Sequence, residues 1–297
     1  MDKIYIILAI PAALVLLSLI WCLVEPFILD LDMISLKRSP KISQGKDISV
    51  KKLSEPVHNP ADNKPDLRLF FFSDIHAECC PVTAKCLCNA LRSANSAAPI
   101  DAVVFGGDII TYPMNAKRGY KYLSAVSSCC KELGIPFYGV SGNHDWDLKD
   151  PAASSGFISL DNTSTVLTSR ISGSNIFLTG LSDSGRKHRV WHEELSCDGS
   201  EPVILLVHDP DAIIHLNPGD RPDYMLSGHL HGGQMKLPFR MEFTVLRRSD
   251  KLPKMGAVQG LYDICGTTVF ISRGLGCGIL PFRFLSLPEA TVVEIRL

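Results

Sequence analysis

The chain has 297 residues, 46% of them hydrophobic and 21% charged, the balance of a packed protein rather than a disordered or fibrous one. Lys and Arg total 30 against 31 Asp and Glu, for a net charge of -1, so there is no overall basic field and no nucleic acid is expected as a partner.

The first element runs from Ile4 to Val24, 21 residues without a charge. At about 1.5 Å per residue a helix of that length reaches roughly 31 Å, the thickness of the bilayer hydrocarbon. Pro11 is tolerated in such a helix, and Trp21 suits the interface. The run exceeds the apolar core of a signal peptide, about 7–15 residues, and no small-residue cleavage site follows it. The segment is therefore read as an uncleaved single-pass anchor, residues 4–24. Lys3 stands alone before it, while Lys37, Arg38 and Lys41 follow, which places the C-terminal domain on the cytoplasmic face. The cysteines agree. Of 10, Cys22 lies in the span, and the remainder is an odd number with vicinal pairs at Cys79-Cys80 and Cys129-Cys130, a pattern of reduced thiols.

Residues 25–64 include a polar stretch without sustained periodicity and read as a tether leading into a catalytic domain at 65–297. No internal repeat is visible. Cys79, Cys80, Cys86 and Cys88 lack the spacing of a zinc cluster and fall on an expected helix, so they read as small buried thiols.

Five short apolar runs then end in metal-ligand residue types. Leu67–Phe72 leads to Asp74 and His76, Ala102–Phe105 to Gly106-Gly107-Asp108, and Pro136–Val140 to Gly142-Asn143-His144-Asp145. Val203–Val207 leads to His208, and Tyr224–Leu226 to Gly228-His229-Leu230-His231. Runs of this length and composition predict buried strands. Helices are expected at Lys85–Asn95 and Gly119–Leu133, giving β-α-β-α-β with the spacing of parallel crossover units. Ligands in such sheets bind beyond the carboxyl ends of the strands, where every cluster falls. Singly, each cluster is an ordinary turn, cap or core histidine; together and in order they point to a metal site.

This ordered set resembles the signature of the calcineurin-like metallophosphoesterases, over about Leu67 to Leu297. Gly228-His229-Leu230-His231-Gly232-Gly233-Gln234 and Ser272-Arg273-Gly274-Leu275-Gly276 are similar to its membrane-associated bacterial subgroup. The resemblance implies an α/β fold, a four-layer α-β-β-α sandwich. It implies two divalent transition ions, with Asp74, His76 and His231 on one, Asn143, His208 and His229 on the other, and Asp108 bridging. His144 then faces the substrate and assists the leaving group, with Asp145 as its orienting partner. Mixed imidazole, carboxylate and amide donors suit Mn, Fe or Zn, with Mn favoured. The reaction implied is hydrolysis of a phosphodiester or pyrophosphate by a hydroxide shared between the ions. A membrane anchor favours lipid-linked substrates, and one branch of the family cleaves UDP-2,3-diacylglucosamine in lipid A synthesis. A general phosphodiesterase or phosphatase, and a non-catalytic metal-binding membrane module, are the alternatives. Arg186, Lys187, His188 and Arg189 form a basic cluster, either a solvated loop or a site for a second phosphate.

Overall fold

The computed structural model describes residues 2–38, 48–54, 65–183 and 201–296. The basic cluster at 186–189 lies outside them.

Two sheets carry the fold. The first contains β1 (Asp30–Lys37), β3 (Leu67–Phe72), β4 (Ala102–Phe105), β5 (Phe137–Gly139), β6 (Ile158–Ser159) and β13 (Glu289–Arg296), in the order β1-β13-β3-β4-β5-β6. The second contains β2 (Val50–Lys52), β7 (Thr163–Thr168), β8 (Asn175–Leu181), β9 (Val203–Val207), β10 (Tyr224–Ser227), β11 (Gly260–Ile264) and β12 (Thr267–Ile271), in the order β2-β11-β12-β10-β9-β8-β7. The helices are α1 (Asp2–Val24), α2 (Ala84–Ala97), α3 (Ala116–Leu133), α4 (Pro151–Ser155) and α5 (Ala212–His215).

The two-residue period of β3 sorts its side chains between two cores. Phe70 and Phe72 join Leu87, Leu91 and Ala94 of α2 and Leu123 and Val126 of α3. Leu69 and Phe71 meet Leu178, Ile204, Leu206, Leu226 and Phe270 from the second sheet. Across that sheet, Leu205, Val207, Met225 and Val269 pack on Ala212 and Ile213 from α5 and on Leu216 just after it. Three cores between four layers make the α-β-β-α sandwich. Each fully buried Phe or Leu in these cores stabilises the fold by about 1.5–3 kcal/mol. All five expected strands form, and β3-α2-β4-α3-β5 is the expected parallel series. Thr83 caps α2 by accepting from the Cys86 amide, and Gly134, at φ 64°, closes α3.

The stretch expected as a tether is different. Residues 30–37 form β1, paired in parallel along its whole length with β13, and residues 50–52 form β2 on the edge of the second sheet. Apolar residues fall on both faces of β1, so no alternation marks it. An edge strand with one neighbour needs none, because its backbone ladder supplies the cohesion. The cysteines also depart from expectation: Cys88 is buried against α3, but Cys86 is exposed and Cys79 lies in a single turn, half-buried.

α1 is long and apolar enough to cross a membrane. Its final turn meets the domain. The Arg283 amide donates to the Cys22 carbonyl at 3.2 Å. The buried Glu25 carboxylate accepts from the Leu285 and Ser286 amides.

Candidate metal centre

Strands β3, β4 and β5 of one sheet and β9, β10 and β12 of the other end at one place between the layers. Asp74 and His76 follow β3, Asp108 follows β4, Asn143 and His144 follow β5, His208 ends β9, and His229 and His231 follow β10. Asp74, His76, Asp108, His208, His229 and His231 are all buried.

The backbone there is unusual. Asp74, His76, Asp108, His229 and His231 have φ of 52°, 42°, 60°, 70° and 52°, the left-handed region that residues with a Cβ avoid. Such conformations cost of order 1–3 kcal/mol each and persist only where the surroundings over-determine them. The surroundings here are close-fitting. A Cβ on Gly142 would collide with the Asp108 carboxylate, and one on Gly228 with the Asp74 carboxylate and Ser73.

Two donor groups result. Asp74, His76 and His231 converge, as do Asp74, Asp108 and His208, each set with its donor atoms within 4.8 Å of one another. His231 Nε2 lies 3.3 Å from Asp74 Oδ1, and His208 Nε2 lies 3.1 Å from Asp108 Oδ2. His76 Nε2 is 3.2 Å from His231 Nε2, and His229 Nδ1 is 3.2 Å from His208 Nε2. The outward nitrogens are occupied: His208 Nδ1–H donates to the Gly106 carbonyl at 2.8 Å, and His76 Nδ1–H to Thr111 Oγ1 at 3.0 Å. That turns both Nε2 atoms into the site, the usual posture of metal-binding imidazoles, although, against burial, the Asp108 carboxylate beside His208 raises that imidazole well above the histidine range. Asn143 Oδ1 is buried without a hydrogen-bond partner. An unsatisfied buried amide oxygen beside inward imidazole nitrogens and two carboxylates is a donor set suited to cations. Burial pushes His231 well below the usual histidine range, with the charge of His76 adding to it, and burial also lowers His76, so both favour the neutral, metal-binding form. Burial would raise the Asp108 carboxyl, but His208 beside it outweighs that and holds Asp108 well below the carboxylate range.

Neither cluster includes a cysteine.

Asp145 is placed differently from expectation. Its carboxylate accepts from the amides of Asp108, Ile109 and Gly142 at 2.8–2.9 Å and stitches the β4 and β5 loops together. Burial and the charge of Asp108 push its carboxyl up to about 8, against the Gly142 and Ile109 amides, which lower it. The His144 ring is held instead by the Thr111 carbonyl, 3.1 Å from Nδ1, while the His144 amide donates to Asp108 Oδ1 at 2.9 Å. Thr111 thus positions both His76 and His144. No local pattern marks it in the sequence, because its role comes from the chain path after β4. Arg273 is a second residue with a role visible only in three dimensions. It pairs with Asp30 at 2.7 Å and Glu289 at 2.9 Å, joining β1 to β13, and sets Gly274 at φ 68° against the Asp74 side chain.

A cavity of about 510 Å³ opens above the centre. His76, Asp108, Asn143, His144, His229 and His231 form its floor, and Leu237, Glu242, Arg247, Ile279 and Leu280 stand in its walls.

An α-β-β-α sandwich whose strand ends converge on paired Asp/His clusters below an open cavity defines a metallophosphoesterase. The chain belongs to the calcineurin-like phosphoesterase family, whose model matches residues 67–233, and it is a hydrolase. It is 34% identical to the uncharacterized metallophosphoesterase YkuE of Bacillus subtilis over 237 residues, 76% of this chain and 77% of that protein. It is 24% identical to the phosphodiesterase YaeI of Escherichia coli over 249 residues, 79% of this chain and 84% of that protein. A shorter stretch of 97 residues, 31% of this chain and 29% of the other, is 37% identical to the UDP-2,3-diacylglucosamine pyrophosphatase LpxG of Chlamydia trachomatis.

Proposed function

We propose that the chain is a membrane-anchored phosphoesterase that hydrolyses a phosphodiester or pyrophosphate bond with two divalent ions, Mn favoured over Fe or Zn. The observation that carries this is the pair of buried Asp/His clusters sharing Asp74, with the unpartnered Asn143 amide oxygen beside them. Asp74, His76 and His231 would hold one ion, Asn143, His208 and His229 the other, and Asp108 would bridge. Bound metal would supply positive charge for the phosphoryl oxygens and lower the pKa of an attacking water.

The chain's own residues do the rest. Ser73 Oγ donates to Asp74 at 2.5 Å and the His229 amide donates to both Asp74 oxygens at 3.1 Å, so the carboxylate arrives pre-aimed. Asp145 locks the β4 and β5 loops in register. His144 commits Nδ1–H to Thr111, which leaves Nε2 to exchange a proton with the departing oxygen.

α1 supports a single-pass anchor, and the Lys and Arg residues after it support a cytoplasmic domain. A lipid-linked pyrophosphate, with UDP-2,3-diacylglucosamine in lipid A synthesis as the specific case, draws on the anchor and on the local likeness to LpxG. The broader likeness to YaeI favours a second reading, a phosphodiesterase acting on a soluble or envelope substrate. A panel of p-nitrophenyl phosphate, bis-p-nitrophenyl phosphate and UDP-2,3-diacylglucosamine, assayed with added Mn, separates them. Preferred cleavage of the lipid pyrophosphate supports the first, preferred cleavage of the diester supports the second, and turnover of none contradicts both.

A further inference from the structure

We propose that the mouth of the cavity is a membrane-docking surface that lies on the anionic headgroup layer of the bilayer; this rests on α1 being a span. Three independent observations meet there.

The first is position. The last turn of α1 is bonded to Arg283, and Glu25 just after it grips the Leu285 and Ser286 amides. The same segment turns back to wall the cavity at Ile279 and Leu280. Gln234 ties it to the other wall, accepting from the Gly278 amide at 2.9 Å and donating to the Leu280 carbonyl at 2.9 Å. Lys236 adds a backbone bond to Phe284 at 3.0 Å. Helix end and both walls are therefore one connected body, and a span ending at Val24 brings the mouth to the bilayer surface.

The second is apolar exposure. Phe239 is 93% exposed, Ile279 75%, Leu285 58% and Leu280 56%. Single exposed apolar residues are ordinary, but here Ile279 and Leu280 line the opening, Phe239 stands between the wall residues Leu237 and Glu242 in the chain, and Leu285 follows in the segment held by Glu25, a grouping that marks an interaction surface. Phe239 and Arg240 both hold left-handed φ, 58° and 57°, at the tip of the 235–246 wall.

The third is charge. Residues 235–254 carry Lys236, Arg240, Arg248, Lys251 and Lys254, besides Arg247, which pairs with Asp250 at 2.8 Å, and the two acids of that stretch, Glu242 and Asp250, are buried. The exposed charge of this stretch is wholly basic, in a chain of net charge -1. Interleaved basic and apolar side chains are the composition of surfaces that settle about 5–10 Å into the headgroup region, each Lys or Arg contributing about 1 kcal/mol near an anionic leaflet. A phosphoester on a lipid headgroup would then reach the floor without its acyl chains leaving the bilayer.

The test is fluorescence quenching in the full chain, reconstituted into phosphatidylcholine/phosphatidylglycerol vesicles with brominated acyl chains. Phe239→Trp is compared with Val166→Trp on the edge strand β7, each as the increment over the parent emission. The 239 increment should lose roughly half its intensity, as expected for a side chain within about 10 Å of the interface, and the 166 increment should be unaffected. In phosphatidylcholine alone the loss at 239 should shrink. An unquenched 239 increment, or equal quenching at 239 with and without anionic lipid, overturns the proposal. The emission removed by Trp21→Phe reports the anchor separately. Quenching at Trp21 without quenching at 239 rejects the docking surface and leaves the anchor standing, whereas no quenching at Trp21 rejects the anchor itself.

Discussion

At and beneath the floor of the cavity Asp74, Asp108, His208 and His231 are at most 6% exposed, whereas in its wall Ile279 is 75% exposed and Phe239, two residues beyond the wall residue Leu237, is 93% exposed. The floor sits at the ends of central strands. Side chains there are fixed by left-handed backbone at Asp74, Asp108 and His231, by glycines packed against the carboxylates, and by hydrogen bonds to the outward ring nitrogens of His76 and His208. The mouth is made of short turns between strands, linked through Gln234 and Glu25. The difference teaches where each property is set. Chemistry that needs sub-ångström placement is built where the fold over-determines it, and selection among substrates is left to segments that can change without disturbing strands.

The comparison can be broken at the floor first. Asp74→Asn keeps the shape but removes a charge shared by both clusters, and it should lower kcat by about 10³-fold or more while the chain stays folded by circular dichroism. A loss below tenfold would remove Asp74 from the metal centre. His144→Ala should leave metal content intact and cost about 10²-fold on a substrate with a poor leaving group. On p-nitrophenyl esters, whose leaving group needs no proton, the loss should be much smaller. Equal losses on both would make His144 structural.

Gly142→Ala tests the tightness of the floor. Its Cβ would press on the Asp108 carboxylate and amide, so overpacking of about 1–3 kcal/mol should appear as a lower melting temperature together with weaker metal retention. An unchanged melting curve would mean that this contact relaxes freely.

The smallest effects are expected at the junction between helix and mouth. Deleting residues 1–24 keeps Glu25 and should leave the rate on bis-p-nitrophenyl phosphate unchanged while freeing the domain from membranes. Deleting through Asp32 also removes the Glu25 carboxylate and the start of β1. It leaves the Leu285 and Ser286 amides without their acceptor, at about 1–3 kcal/mol. Equal melting temperatures for the two truncations would show that residues 25–32 are a tether after all.

The floor was far more legible in the sequence than the mouth. Buried parallel strands such as Leu67–Phe72 and Val203–Val207 are continuous apolar runs, and residues directly after such strands meet at one end of the sheets, so chain order together with the family resemblance aligned Asp74, Asp108, Asn143, His208 and His229. β1 was hidden because an edge strand with apolar residues on both faces has no readable period. Thr111 and the true partners of Asp145 were hidden because their contacts form only when different loops are brought together. The mouth was hidden for another reason: exposed Phe239 and Ile279 look like core residues until burial is known, and Glu242 and Asp250 look like surface charges until they are seen inside, Asp250 paired with Arg247.

The most direct test is metal analysis of the purified full chain and of Asp108→Ala, by atomic emission after exhaustive dialysis against trace-metal-free buffer. The parent should retain about two divalent ions per chain, the stoichiometry of a two-metal phosphoryl centre, and Asp108→Ala should fall to about one or fewer with its fold intact. A parent that holds a single ion when saturated with Mn, or a variant that keeps the parent's stoichiometry, would contradict a shared centre bridged by Asp108.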